Sequence, residues 1–439
     1  MTTSQPHPAI SRVEAIKSLQ LSLAPNRFAL ALLIVSIATA LVQVISYQSS
    51  LKAQAGSNPN FFLVEVQKTP LYYTAYAIQL ALAFSAGLIA IISTNFRTID
   101  RTYLIRFWFL IAAALLMAAK GYTVADLYSS KLVDSTGPVP FLFFVLVFIG
   151  ANKNNWRVLE KVIAIESVLL CCLVAIGLFN LHTFTRYEAV ITITGYLNIL
   201  FWPAAWIVLK PYPQNSWFRH LRFGPMLVYV VGSTFVQTRL NFVMIFALMI
   251  VYAYTQRKRR VPQAMTWLLW AFLAVWVCLF VATFLRDSKG YEIFNNIARS
   301  FYSRLDEDTR TGQVRSFAQS VRVEELLLGR GSFAKWDWDG LLWKGGTDIG
   351  YLTLLFYGGL PLLIGYIAVQ VIPSLYLFSN DIEDWQIASA GVVLLFAIRM
   401  FSSSYPGENP ESYCLLLCTG ACIYRSPWPR SQRFIGAMN

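Results

Sequence analysis

Apolar windows of about 20 residues recur along most of this 439-residue chain, and that recurrence constrains its fold more than any other feature. A helix needs roughly 20 apolar residues to cross the hydrocarbon of a bilayer. Windows of this kind fall near 27–47, 71–93, 104–123, 138–152, 158–181, 189–209, 222–238, 240–255, 264–285, 348–372, 386–404 and 411–424. They predict an all-α polytopic membrane protein with about 12 transmembrane helices. The windows 138–152 and 411–424 are short, and the two around Arg239 read either as separate spans or as one broken unit. Composition agrees: 56% of residues are hydrophobic and 13% charged, against about 25% charged in soluble domains. An aromatic content of 15% suits belts of Trp and Tyr at the membrane interfaces.

The distribution of basic residues orients the spans. Arg12, Lys17 and Arg27 precede the first window. Arg97, Arg101 and Arg106, then Lys153, Arg157 and Lys161, then Lys210, Arg219 and Arg222 occupy alternate connections. Arg257, Lys258, Arg259 and Arg260 follow, and Arg425, Arg430 and Arg433 lie near the C-terminus. The short loops opposite hold only Lys52, Lys68, Lys120, Lys131, Arg186 and Arg239. By the positive-inside rule both termini are cytoplasmic. The acidic connection 380–384 carries no basic residue, but acids weigh little in that rule. The net charge of +13 is thereby explained by topology, and nucleic acid is not expected as a partner. About 26 residues precede the first apolar run, which continues for a full span, so a cleavable signal peptide is not expected. The chain divides into 1–285 with nine spans, a large loop at 286–347 placed outside the membrane, and 348–439 with three more.

Cys171, Cys172, Cys278, Cys414, Cys418 and Cys422 all lie in apolar segments, which argues against a disulfide framework. Cys414, Cys418 and Cys422 share one helical face, where small side chains let helices approach. His7, His182 and His220 are too scattered for a metal site, and no metal or other cofactor is expected. No nucleotide-binding fingerprint of the Walker or Rossmann kind occurs.

The long loop carries Arg286, Arg299, Arg304, Arg310, Arg315, Arg322 and Arg330. Arginine is the side chain best built to grip phosphate or carboxylate. Part of this charge is expected to pair within the loop: Arg322 with Glu325 at i+3, and Arg304 with Asp308 at i+4. Arg310 and Arg315 sit in a stretch, 308–317, that reads as the opening of a helix, and arginines at a helix N-terminus make an anion site. Asp348 heads the next apolar segment, as a helix-capping acid or as a base placed at the membrane surface. Arg239, between two apolar runs and beside Ser233, Thr234 and Gln237, reads as a guanidinium facing a polar cavity. Arg399 either pairs with Glu408 or Glu411 or lines the same cavity. Glu166, inside the fifth window, is read as structural.

The order of Thr238-Arg239, the Arg310–Arg315 stretch, Leu328-Gly329-Arg330-Gly331-Ser332-Phe333, Asp348-Ile349-Gly350-Tyr351-Leu352 and Gly358-Gly359-Leu360 resembles the O-antigen ligase and Wzy-type polysaccharide polymerase superfamily. The resemblance covers roughly residues 230–365. It implies a GT-C-like membrane glycosyltransferase of the bacterial inner membrane, with a partly helical periplasmic loop. Its implied substrate is a polyprenyl-diphosphate-linked oligosaccharide, met within the lipid, and its implied partners include a chain-length regulator and a flippase. The implied catalytic residues are Asp348, Arg239 and Arg310, with Arg315, Arg330, Arg399, Tyr351 and Glu408 binding substrate. Ligases usually carry His where this chain has Asp348, which moves the expectation toward a polymerase, with a ligase as the alternative. A transporter or flippase for a lipid-linked sugar is the competing reading. It would place polar groups at the bilayer midplane and repeat its halves, whereas the sequence gathers its polar groups at one face and shows no repeat.

Overall fold

The computed structural model describes residues 10–55, 68–94, 96–122, 139–181, 186–211, 222–236, 238–258, 309–332, 334, 336–338, 341–343, 349–378, 382–401 and 411–424. The helices of the first half are α1 (Ile10–Ala55), α2 (Pro70–Ser93), α3 (Arg101–Tyr122), α4 (Pro140–Gly150), α5 (Lys153–Phe179), α6 (Arg186–Leu209), α7 (Gly224–Val236) and α8 (Arg239–Lys258). Then come α9 (Thr309–Ser320), α10 (Val323–Leu328), α11 (Gly350–Tyr366), α12 (Asp384–Arg399) and α13 (Glu411–Ile423). Past Tyr366, α11 runs on through a π turn and a 3₁₀ turn to Phe378. Six helices among the described residues are long and apolar enough to cross a membrane: Pro25–Gln54, Pro70–Ser93, Arg101–Gly121, Lys153–Phe179, Glu188–Leu209 and Gly350–Leu375. Of the twelve windows read from sequence, 264–285 lies outside the described residues, and each of the others is occupied by helix. The pair around Arg239 is two helices. Asn241 reaches back to Ser233 (3.2 Å) near the turn, and Arg222 meets the Tyr252 hydroxyl (2.9 Å) at the far end.

The helix α5 shows why water cannot be the solvent of this bundle. One face buries Trp156, Leu159, Ile163, Leu170 and Val174, and the other exposes Ile165, Val168, Leu169, Ile176 and Phe179. A helix apolar on both faces is stable only when lipid covers the outer one. The chain is a multi-pass α-helical membrane protein. Its span starts are set locally: Thr69 caps α2 ahead of Pro70, and the Asn152 side chain accepts from the Asn154 amide at the head of α5.

The two shortest membrane windows pack on each other. A Cβ on Gly150 of α4 would collide with the Leu417 carbonyl of α13, and one on Gly420 with the Val147 carbonyl. Glycines at both crossings let the backbones touch, which is the small-residue packing of membrane helices. Cys414, Cys418 and Cys422 lie buried on the same short helix as free thiols.

The helix ends gather into two rims. At one rim Trp206 stacks on Trp156 (5.7 Å), Trp156 meets Trp385 (5.1 Å), and Trp385 meets Tyr424 (5.8 Å). Lys153 pairs with Glu383 and Lys210 with Glu160, each at 2.6 Å, and Ile99 bridges Tyr424. This tryptophan rim collects basic connections that the charge rule assigned to one side. The opposite rim joins Ser46 to Thr69 (2.6 Å), the α3 terminus to Ser332, and Gly350 to the Met400 carbonyl (2.9 Å). The alternation of the described spans between rims matches the sequence reading.

The all-α expectation needs one amendment. Trp336–Trp338 and Leu341–Trp343 pair antiparallel as a small hairpin within the long loop, with Trp338 opposite Leu341.

Candidate functional site

The second rim is built around a break in α11. Gly359 adopts φ 67°, ψ −167°, which only glycine holds without strain. Two residues later Pro361 has no amide to donate to the carbonyl four residues back, that of Tyr357. The Phe356 and Tyr357 carbonyls at this break take donors from outside the helix. The loop supplies them: Arg330 N donates to Phe356 O (2.8 Å) and Gly331 N to Tyr357 O (2.9 Å). On the other side Ser332 N donates to Met117 O (3.1 Å) of α3, and the Lys120 ammonium donates to Gly329 O. Residues 329–332 thus lie as a strip between the broken helix and the end of α3. Of the segment Leu328–Phe333, read from sequence as a short glycine turn, the described residues 329–332 are the point where the loop locks onto the bundle.

This strip positions the helices that bear arginine. In α9, Gln313 and Phe317 are buried, with the Phe317 ring 6.3 Å from that of Phe356, while Arg315 is exposed. The helix begins at Thr309, as the 308–317 stretch predicted, and Arg310 is its second residue. The Arg310 side chain lies outside the described residues. Arg330 is half-buried: one terminal nitrogen donates to Ser320 O (2.7 Å) and to the Glu325 carboxylate (3.1 Å), and its guanidinium sits 5.1 Å from the centre of the Phe356 ring. Its Nε is buried and has no hydrogen-bond partner among the described residues.

The pairing expected between Arg322 and Glu325 takes a different form. The Glu325 carboxylate turns back to accept from the Arg322 backbone amide (2.9 Å), closing the first turn of α10, and its ion-pair partner is Arg330. A reach of i+5 takes the guanidinium over the end of this six-residue helix, which a residue before the helix does not do. Partial burial pushes the Glu325 carboxyl up, but the Arg322 amide and the Arg330 guanidinium outweigh it and hold the group below the usual glutamate range. A carboxyl depressed in the folded state stabilises above its unfolded value, about 4.3, and loses that contribution as pH falls through the folded one. We expect protease cleavage within 309–332 to rise as pH drops below about 4, and Glu325→Gln to remove that pH dependence.

The α11–α12 corner completes the rim. Tyr351 donates its hydroxyl to the Ala397 carbonyl (2.8 Å) and packs its ring on Phe401 (4.8 Å). Arg399 ends α12, with its guanidinium 5.4 Å from the centre of the Trp202 ring. Helices α8 and α12 meet where Val251 faces Gly391, and from there both run to this rim, α8 beginning at Arg239 and α12 ending at Arg399. The structure thus brings Arg315, Arg330, Tyr351 and the backbone positions of Arg239, Arg310 and Arg399 to one end of the bundle, with the Arg399 guanidinium turned inward onto Trp202, one turn of α6 from Trp206. The Arg239 side chain, Asp348 and Glu408 lie outside the described residues; α11 starts at Gly350 with Ile349 at its cap. Sequence reasoning missed Trp202 as the partner of Arg399, and Lys120 and Phe356 as the anchors of the strip. No local signal marked these contacts, because each joins residues far apart in the chain.

Searches against protein-family models, curated proteins and solved structures found no match to this chain. The reading of its function rests on the sequence and on this rim.

Proposed function

We propose that the chain is a membrane glycosyltransferase that polymerises polyprenyl-diphosphate-linked oligosaccharide repeat units, working at the periplasmic face of a bacterial inner membrane with both termini cytoplasmic. The observation that carries this reading is the docking of the 329–332 strip into the broken helix α11. It fixes an arginine-bearing segment over the membrane end where Tyr351 and Arg399 lie. A lipid diphosphate presents its charge at that depth.

In this mechanism Arg239 and Arg310, with Arg315 beside them, hold the diphosphate and neutralise the charge that grows on it as it leaves. The acceptor hydroxyl oxygen attacks the anomeric carbon, the carbon–oxygen bond to the diphosphate breaks, and polyprenyl diphosphate departs. Asp348 orients the acceptor and takes its proton. Arg330, Arg399, Tyr351 and Glu408 shape the substrate site. The bond energy of the sugar diphosphate drives the transfer, so no nucleotide is required.

The test is to give purified protein a lipid-linked repeat unit. A ladder of lengths is expected; a single transfer to a second acceptor would make the chain a ligase, and movement across a vesicle without bond formation a transporter. Asp348→Asn is expected to cut turnover by roughly 10²-fold or more, as loss of a general base does. Near-normal turnover in that variant would reduce Asp348 to a helix cap. The transport reading draws on one observation, the carboxylate of Glu166 buried deep within the bundle.

A further inference from the structure

Glu166 is the central residue of α5, thirteen residues from either end, so it sits about 20 Å from each terminus of a spanning helix. It is 5% exposed. Among the described residues it has neither an ion pair nor a hydrogen bond. The basic residues of its own helix, Lys153, Arg157 and Lys161, lie in the first nine positions and are exposed.

Its surroundings are polar. The Tyr413 hydroxyl and Cys414 of α13 lie within its electrostatic reach. The Ser36 hydroxyl of α1 is 2.6 Å from the Tyr413 hydroxyl and donates to the Gln79 carbonyl of α2 at 3.0 Å. Ser167, the next residue, is fully buried, and Gln43, two turns along α1 from Ser36, is buried; among the described residues neither the Ser167 hydroxyl nor the Gln43 side-chain carbonyl oxygen has a hydrogen-bond partner. Oxygen atoms of four helices, from side chains in α1, α5 and α13 and from the Gln79 backbone carbonyl in α2, therefore lie in a lipid-embedded interior.

An isolated ionised carboxylate at this depth costs many kcal/mol and does not persist. Ionisable groups inside a membrane bundle are paired, or mark an ion or proton path. Hard cations take oxygen ligands of the kind gathered here, carboxylate, amide carbonyl and hydroxyl. One carboxylate with no basic partner calls for one positive charge. We propose that Glu166 is the anionic ligand of a monovalent-cation site, for a sodium ion or a proton, at the meeting of α1, α2, α5 and α13. On this proposal Glu166 has a binding role in place of the structural one read from sequence. The proposal stands whether or not the chain transfers glycans, because its readout is ion-dependent stability.

The test compares the full chain with Glu166→Gln in detergent. One thermal-unfolding series replaces choline with sodium at fixed pH; a second varies pH in choline alone. A ligand that binds only the folded state raises the midpoint as its concentration grows. The wild-type midpoint is expected to rise with sodium, or with falling pH above the range in which Glu325 titrates, and the variant to show neither rise. The series that moves identifies the cation. A wild-type protein flat in both series, or a variant that responds as the wild type does, overturns the site. Should the variant not fold, carbodiimide modification of wild-type protein is mapped by mass spectrometry. Modification at Glu166 slowed by sodium or by rising pH is expected, and a rate indifferent to both overturns it.

Discussion

Arg239→Ala and Arg310→Ala are each expected to abolish polymer while the protein still inserts and folds. Arg239 opens α8 at the second rim, and Arg310 lies in the first turn of α9, where a helix N-terminus already favours anions. In the proposed reaction the diphosphate gains negative charge as the glycosidic bond breaks, so a guanidinium there binds the transition state more tightly than the ground state. Loss of one such preorganised donor costs roughly 10²–10³ in turnover. Repeated over every addition, that loss leaves no visible ladder. Arg→Lys at either position keeps the charge but not the bidentate fork, and is expected to recover only part of the activity. The measurement is chain length on a gel, with membrane insertion followed in parallel. Wild-type ladders from both alanine variants would sink the diphosphate clamp.

Gly329→Ala is expected to release the loop from the bundle. Gly329 has φ 69° and ψ 176°, a region essentially reserved for glycine, and strain of this kind costs about 1–3 kcal/mol. A Cβ there would also collide with the Tyr357 carbonyl, the atom that receives Gly331 N. Forced overpacking adds roughly 1–3 kcal/mol. Four backbone or ammonium hydrogen bonds, from Arg330, Gly331, Ser332 and Lys120, depend on the same few ångströms. The expected result is rapid proteolysis within 309–332 with the helical content of the bundle unchanged. Protection equal to wild type would mean that the strip does not hold the loop.

The spans were legible because lipid imposes one rule on every crossing helix, and apolar length reports it directly. Thus 71–93 and 104–123 correspond to α2 and α3 within a few residues. The windows at 138–152 and 411–424 were short for a reason the sequence does not display: they lie against each other through Gly150 and Gly420, and that pairing is long-range. The hairpin was written locally, in the alternation of Trp336 and Trp338 and the Asp339-Gly340 dipeptide, but helical context hid it. At the site, the helix starting near Arg310 could be read from its polar first turn. The partner of Glu325 could not, because i+3 and i+5 compete and only the docking of Arg330 over Phe356 decides between them. Arg399 resting on Trp202 joins residues almost two hundred positions apart, beyond the reach of any spacing rule.

The carbonyl of Tyr357 is where the loop's backbone meets the broken helix. A regular helix would fill it with the amide of residue 361; proline at that position keeps it vacant for Gly331. The bend at Gly359 and the seat of the loop therefore share one place: a Cβ on Gly359 would meet Gly329 N, and one on Gly329 the Tyr357 carbonyl. Straightening α11 at Gly359 would turn both carbonyls away from the strip, and pulling the strip away would cost both carbonyls the donors it supplies. Through that exchange, the shape of a buried helix and the position of an arginine-bearing loop become a single variable.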